Sequence, residues 1–112
     1  MSSWTPEPSY IEKRFLDFYS RMKIPYPLIP QYQIGPYFCD LVNLESGVVI
    51  ECDGKAYHSS PEQRARDNYR QGYLEGRNWL VIRFSGYDIY HYPVRCVLRA
   101  KAVIEQELRL LA

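Results

Sequence analysis

The sequence predicts an α/β fold in the order α-β-β-β-α-β-α, with a mixed four-stranded sheet flanked by helices. Three observations carry this expectation. Tyr37 to Asn43 and Val48 to Asp53 flank Leu44-Glu45-Ser46-Gly47, a short turn with glycine last, and so read as a β-hairpin. A helical pattern separates that hairpin from another strand, Trp79 to Phe84, and a crossover of this kind brings strands together in parallel. With 112 residues, the chain is long enough for one hydrophobic core and too short for two.

Each element has its own local reason. Residues 1–8, with Pro6 and Pro8, form a loose leader. Ser9 and Glu12 have capping-box spacing, and the helix they open runs to about Met22 with Ile11, Phe15, Phe18 and Tyr19 turned inward. Pro25, Pro27 and Pro30 end it and impose an extended connector. Gln31 to Ile34 is a weakly alternating strand, closed by Gly35-Pro36. Beyond Asp53 the chain loops to Ser60, an N-cap with Pro61 at the first helical position and Gln63 three residues on. This second helix runs to Glu75, burying Ala65, Tyr69 and Tyr73, and Gly76 stops it. In the fourth strand Leu80, Ile82 and Phe84 share one face. Ser85-Gly86 turns the chain, and Pro93 opens a last helix striped by Val97, Ala100, Ile104, Leu108 and Leu111.

Composition narrows the classes of function. A chain that is 46% hydrophobic and 24% charged is globular rather than disordered. Lys+Arg 14 against Asp+Glu 13 leaves +1, which excludes a protein that coats nucleic acid through bulk charge. An anionic partner therefore needs a local patch or a metal. Three cysteines without a C-x-x-C pair argue against a disulfide framework or a zinc knuckle. No apolar run approaches the ~20 residues of a membrane span, and the N-terminus lacks a signal h-region. The expected setting is cytoplasmic, with no membrane partner.

The hairpin concentrates charge. With its turn centred on Glu45-Ser46, residues whose numbers sum to 91 lie opposite each other, so Asp40 faces Glu51. Asp53, two residues on from Glu51, points to the same side. Cys39, Leu41, Val48, Ile50 and Cys52 are expected on the other face. At ~5 Å and an effective dielectric of ~20, each carboxylate pair repels by roughly 3 kcal/mol. Glu51 ends the β-branched run Val48-Val49-Ile50 of a buried strand, where an unpaired charge is expensive. Acids that merely fan into solvent are the plain alternative. A shared cation relieves the repulsion, and hard oxygen ligands select Mg²⁺, with Mn²⁺ as substitute, over zinc.

An acid on one strand followed by Glu51-x-Asp53 ending the next resembles the active site of the PD-(D/E)xK restriction-endonuclease-like superfamily. Val48-Val49-Ile50-Glu51-Cys52-Asp53-Gly54, His58, Ser60-Pro61-Glu62, Arg66-Asp67, Arg70 and Asn78-Trp79-Leu80-Val81-Ile82-Arg83-Phe84 are similar to a bacterial family of small domains akin to very-short-patch-repair endonucleases. The similarity covers about residues 9–97. It implies a restriction-endonuclease-like core that hydrolyses phosphodiesters with Mg²⁺, most simply by nicking or cleaving DNA. Residue by residue it implies Asp40 as the first-strand acid and Glu51 with Asp53 as the paired motif. Glu12 matches an acid of the first helix that joins the metal site, and His58 matches the histidine after the Asp-Gly turn. Asp53 stands where the superfamily motif has lysine, Cys39 where it has proline, and Tyr10 where relatives often carry proline.

Several of these residues have two readings. Asp40 and Glu51 would hold the metal, and Asp53 would complete a second metal site or orient the water. Lys55 is either the lysine of an Asp53-Gly54-Lys55 motif or a phosphate contact. His58 is a general acid or base, or a loop histidine bonded to backbone. Glu12 is either a metal ligand or simply the capping-box acid. Arg64, Arg66 and Arg70 form either a nucleic-acid-binding edge on the second helix or a solvated face, with Glu62 paired to Arg66 and Asp67 to Arg64 or Arg70. Tyr87, Tyr90 and Tyr92 would stack on bases or form an interface, while His91 has no partner by sequence and is expected at the surface. A domain this small has little surface for sequence readout, so a homodimer or a partner protein is expected to supply specificity. A nuclease-fold module without catalysis, used for nucleic-acid binding or oligomerisation, is the competing function.

Overall fold

The computed structural model describes Trp4, residues 6–53 and residues 60–112. Its elements are α1 (Tyr10–Arg21), β1 (Ile29–Ile34), β2 (Tyr37–Asn43), β3 (Val48–Asp53), α2 (Pro61–Glu75), β4 (Leu80–Ser85), α3 (Gly86–His91) and α4 (Pro93–Leu111). They form one mixed sheet ordered β1-β2-β3-β4, antiparallel up to β3 and parallel between β3 and β4. Helices α1, α3 and α4 cover one face, where Phe15, Tyr19, Ile89, Val97, Ala100 and Ile104 pack on Leu41, Val48, Ile50 and Cys52. Helix α2 covers the other, where Leu74 joins Ile34, Cys39, Val42 and Val49. Residues Val48 to Cys52 are buried throughout, as an uninterrupted apolar run on a doubly covered strand demands. Among the described residues no helix is long and apolar enough to cross a membrane.

The hairpin register is the expected one, with Leu41 opposite Ile50, Val42 opposite Val49 and Asn43 opposite Val48. Its turn is held by Asn43, whose Oδ1 accepts from the Ser46 amide (2.9 Å) and hydroxyl (2.6 Å). The Asn43 amide nitrogen donates to the Pro27 carbonyl (2.8 Å), tying the proline connector to the sheet. Ser60 and Gln63 complete a reciprocal capping box at the start of α2.

Four expectations are corrected. Strand β1 begins two residues early and contains Pro30, tolerated because β1 is an edge of the sheet. Helix α2 does not bury Ala65 or Tyr69: both are exposed, and Leu74 is its one buried residue. Instead Arg70 and Gln71 bind α2 to the sheet through polar contacts. The segment after Ser85 is the six-residue helix α3 rather than a turn, with the Ser85 hydroxyl accepting from the Asp88 amide (3.1 Å). Leu111, the last member of the α4 stripe, extends past the core and is exposed.

Gly35 has φ +57, and a Cβ there would lie 2.1 Å from the Tyr73 hydroxyl of α2. Gly72, inside α2, has open space around it. Gly35→Ala is expected to destabilise the fold by about 2 kcal/mol or more through backbone strain and overpacking. Gly72→Ala should stabilise it by roughly 0.5–1 kcal/mol through helix propensity. Urea unfolding of the two variants checks the pair, and equal effects would contradict the packing of Tyr73 on the β1–β2 turn.

Candidate metal and nuclease centre

The β2–β3 ladder ends at Leu41 and Ile50, and just beyond it two carboxylates take over the backbone hydrogen bonds. The Asp40 amide donates to Glu51 Oε2 (3.2 Å), and the Cys52 amide donates to Asp40 Oδ2 (2.8 Å). The alternation of β2 slips here: Leu41 packs under α1 and α4, whereas Cys39 packs with Val42 and Val49 under α2. Cys39 therefore departs from the face expected of it. Opposite, Gln31 adopts a left-handed φ of +51 while still in the strand. Its side-chain amide donates to Asp40 Oδ1 (3.3 Å) and to Glu12 Oε2 (2.8 Å).

Glu12 thus reaches the cluster from α1. The Ser9 hydroxyl accepts from its amide (3.3 Å), but its carboxylate turns to Gln31 and lies buried instead of closing a capping box. Burial, with Asp40 adding to it, raises the Glu12 pKa above the ordinary carboxylate value. Glu51 is 4% exposed, and burial followed by repulsion from Asp40 pushes its pKa up to about 7 against the pull of Arg70. The same burial pushes the neighbouring Cys39 thiol up to about 11, leaving it protonated at neutral pH.

Arginines from two elements meet these acids. The Arg70 guanidinium forms an ion pair with Glu51 Oε1, donates to the Phe38 carbonyl (2.9 Å) and lies over the Tyr37 ring. A buried carboxylate draws this cation of α2 inward, so Arg70 lies beside the acids rather than on a solvated face. Arg83, opposite Glu51 in the parallel ladder, lies 3.8 Å from Asp53 and donates to Asp67 (3.0 Å) and Gln71 (3.3 Å). Asp67 therefore bridges α2 to β4. Burial raises the Asp53 pKa while Arg83 pulls it back.

The structure thus brings Glu12, Asp40 and Glu51 into one hydrogen-bonded row and gives Asp53 to Arg83. Among the described residues no three acid, imidazole or thiol side chains converge as ligands on one point, so the expected three-way convergence of Asp40, Glu51 and Asp53 is replaced by a pair. Arg64 and Arg66 lie on the exposed surface of α2. Lys55 and His58 lie outside the described residues. Sequence reasoning gave no role to Gln31 or Arg83. Arg83 carried a signal, a charge inside the apolar run Leu80 to Phe84 at the position that the parallel register sets against Glu51. Gln31 carried none, since its role depends on a left-handed backbone that its sequence does not announce.

The family model REase_MTES_1575, of restriction-endonuclease-like domains, matches residues 21–104. The chain belongs to this restriction-endonuclease-like family. Its fold is similar to that of the homing endonuclease I-Bth0305I catalytic domain, with a TM-score of 0.60 and 13% identity over 88% of this chain and 93% of that one. No curated protein matches the sequence. The family match contains Asp40, Glu51 and Asp53 and begins after Glu12. The narrower resemblance to very-short-patch-repair enzymes is not what these matches report.

The donor set suits a hard divalent cation. Each oxygen of Asp40 and Glu51 accepts one hydrogen bond and retains a further lone pair. Mg²⁺ is commonly held by one or two carboxylates, with water and substrate phosphate completing its shell.

Raising the pKa of folded Glu51 above 4.5 has a defined sign. Below 4.5 the group is protonated in both states and costs nothing; as pH climbs to about 7 the unfolded chain loses its proton first, so native stability falls. The expected loss across that window is on the order of 3 kcal/mol, and Glu51→Gln should flatten it. Arg70→Ala should steepen it, destabilising at pH 8 far more than at pH 5. Urea unfolding at both pH values checks this, and identical slopes in wild type and Glu51→Gln would contradict it.

Proposed function

We propose that this domain is a Mg²⁺-dependent endonuclease that nicks or cleaves DNA, with Mn²⁺ as a working substitute. The observation that carries the reading is the pairing of half-buried Asp40 with buried Glu51 at the open end of the β2–β3 ladder, with the Glu51 pKa pushed up to about 7. A buried acid kept beside a second carboxylate is a costly arrangement in a purely structural role.

Asp40 and Glu51 would hold the ion. When bound, it supplies charge for the phosphoryl oxygens and a water of lowered pKa. Gln31 holds Asp40 and Glu12 together by donating to both carboxylates. Arg70 fixes the Glu51 carboxylate from α2 and places a positive charge beside the site, where an anionic phosphodiester gains from it. Asp53 and Arg83 balance one another at its margin. His58 remains proposed as a proton-transfer residue from the sequence resemblance, and Lys55 as a phosphate contact from its place two residues beyond Asp53.

A second reading has its own support. Arg70 and Arg83 give Glu51 and Asp53 protein-supplied counter-charges, which is what a nuclease fold retired from catalysis and kept for nucleic-acid binding or oligomerisation needs. Two measurements separate the readings. With Mg²⁺ the wild type should nick supercoiled plasmid, EDTA should stop it, and Asp40→Ala or Glu51→Gln should lower the rate by about 10³-fold or more while retaining cooperative unfolding. Millimolar Mg²⁺ should also raise the wild-type unfolding midpoint and leave that of Asp40→Ala unchanged. Full nicking by either variant overturns the assignment of these acids. Absence of nicking together with an unmoved midpoint favours the retired module.

A further inference from the structure

Beyond the acid pair, on the α1/α3/α4 side of the sheet, a cleft of about 160 Å³ opens between the end of β4, α3 and α4. It is lined by Phe84, the buried Cys96, Tyr92, Asp88, and Arg95 with Arg99, one turn apart on α4. The Arg95 guanidinium lies 4.7 Å over the Tyr92 ring. A ledge of rings continues outward along α3: Tyr87 is 63% exposed, 4.2 Å from the His91 ring and 6.5 Å from that of Tyr92.

We propose that this cleft is a subsite for one unpaired nucleotide of a single strand. The base lies against Tyr92 and Phe84, the adjoining phosphates meet Arg95 and Arg99, and the Tyr87–His91 ledge takes the next base. The mixture of groups is the argument. An apolar lining with one ring fits a base face, which stacks on aromatic side chains without regard to sequence. Two arginines on one helix face fit successive phosphates. Asp88 would repel a bare phosphate or an acidic peptide, but it accepts from an exocyclic amine such as cytosine N4. Thymine flanks its single ring N–H with two carbonyl oxygens that the carboxylate repels, so the cleft prefers cytosine to thymine.

Position ties the cleft to the acid pair. Phe84 is the parallel-strand partner of Cys52, whose amide holds Asp40, and adjacent strands lie about 4.8 Å apart. The Phe84 ring also stacks on Phe15, one helical turn from Glu12. The Glu51 carboxylate turns to Arg70 of α2 on the other face, so the cleft and the acid pair flank neighbouring strands from opposite sides of the sheet. Occupancy of the cleft does not depend on the nuclease reading.

The test is fluorescence anisotropy of labelled (dC)₁₀ and (dT)₁₀ with the full chain in EDTA, where cutting is absent, alongside plasmid nicking in Mg²⁺. Wild type should bind (dC)₁₀ more tightly than (dT)₁₀. Arg95→Ala/Arg99→Ala should weaken both by about tenfold or more and lower the slope of log K against log salt by about 0.7 per arginine. Tyr92→Ala should weaken both, and Asp88→Asn should erase the preference for cytosine. Arg95→Lys/Arg99→Lys should keep the salt slope, and unfolding midpoints of all variants confirm that each is folded. Failure of wild type to bind either strand, or unchanged affinity and slope in the folded Arg95→Ala/Arg99→Ala variant, overturns the proposal. Asp40→Ala separates the two readings: binding that survives while no protein nicks plasmid refutes the nuclease and keeps the subsite, and nicking without cleft-dependent binding does the reverse.

Discussion

The burial of Glu51 beside Asp40 is the constraint around which the rest of the molecule is arranged. A carboxylate at the end of a strand covered on both faces has lost water and gained a like-charged neighbour, and each effect opposes ionisation. The surrounding structure answers with directed groups. The Asp40 and Cys52 amides turn to the two carboxylates, the Gln31 amide reaches Asp40 from the edge strand, and Arg70 comes in from α2. Interrupting the β2–β3 ladder would leave orphaned amides in the interior, and the acids themselves accept from them. The defect in the sheet and the acid pair are therefore one feature.

This accounts for the asymmetry of the helices. α1, α3 and α4 are bound by apolar packing, with Phe15, Ile89, Val97, Ala100 and Ile104 fully buried. α2 has one buried apolar residue and is attached by charge, through Arg70 to Glu51 and through Asp67 and Gln71 to Arg83. An element held mainly by ion pairs responds to the charge state of what it contacts, so the ionisation of Glu51 and the seating of α2 are coupled. The proposed nuclease chemistry would draw on this coupling, since a cation or a phosphodiester at Asp40 and Glu51 competes with or complements the same guanidinium. On the opposite face, the arginine- and tyrosine-bearing end of α3 and α4 offers a path for a strand that the nearly neutral net charge did not suggest. Local clustering, rather than excess, is what places positive charge there.

Much of this was legible in the order of residues. The alternating and β-branched runs set β2 and β3 to the residue, and Ser60-Pro61 with Gln63 set the start of α2. The hairpin arithmetic set the register that makes Asp40 and Glu51 neighbours. These are local matters: a side-chain period, a turn length, a cap within four residues. The short α3 was missed although Ser85 and Asp88 had capping spacing, because six residues leave too little periodicity to register. The inward face of α2 was misjudged because tyrosine and alanine at helical spacing describe a stripe without saying whether anything lies under it.

The sequence by itself determined the strand pairing and the acids it juxtaposes, since register follows from the chain's immediate neighbours. Which counter-charges those acids receive was decided only when the elements packed. Arg70, Arg83, Gln31 and Glu12 reach the centre from α2, β4, β1 and α1, and their approach depends on a left-handed residue in an edge strand and on helices crossing a sheet. Electrostatic demand at a buried point is satisfied by whatever group is nearest in space, and nearness across tens of residues belongs to the tertiary structure alone.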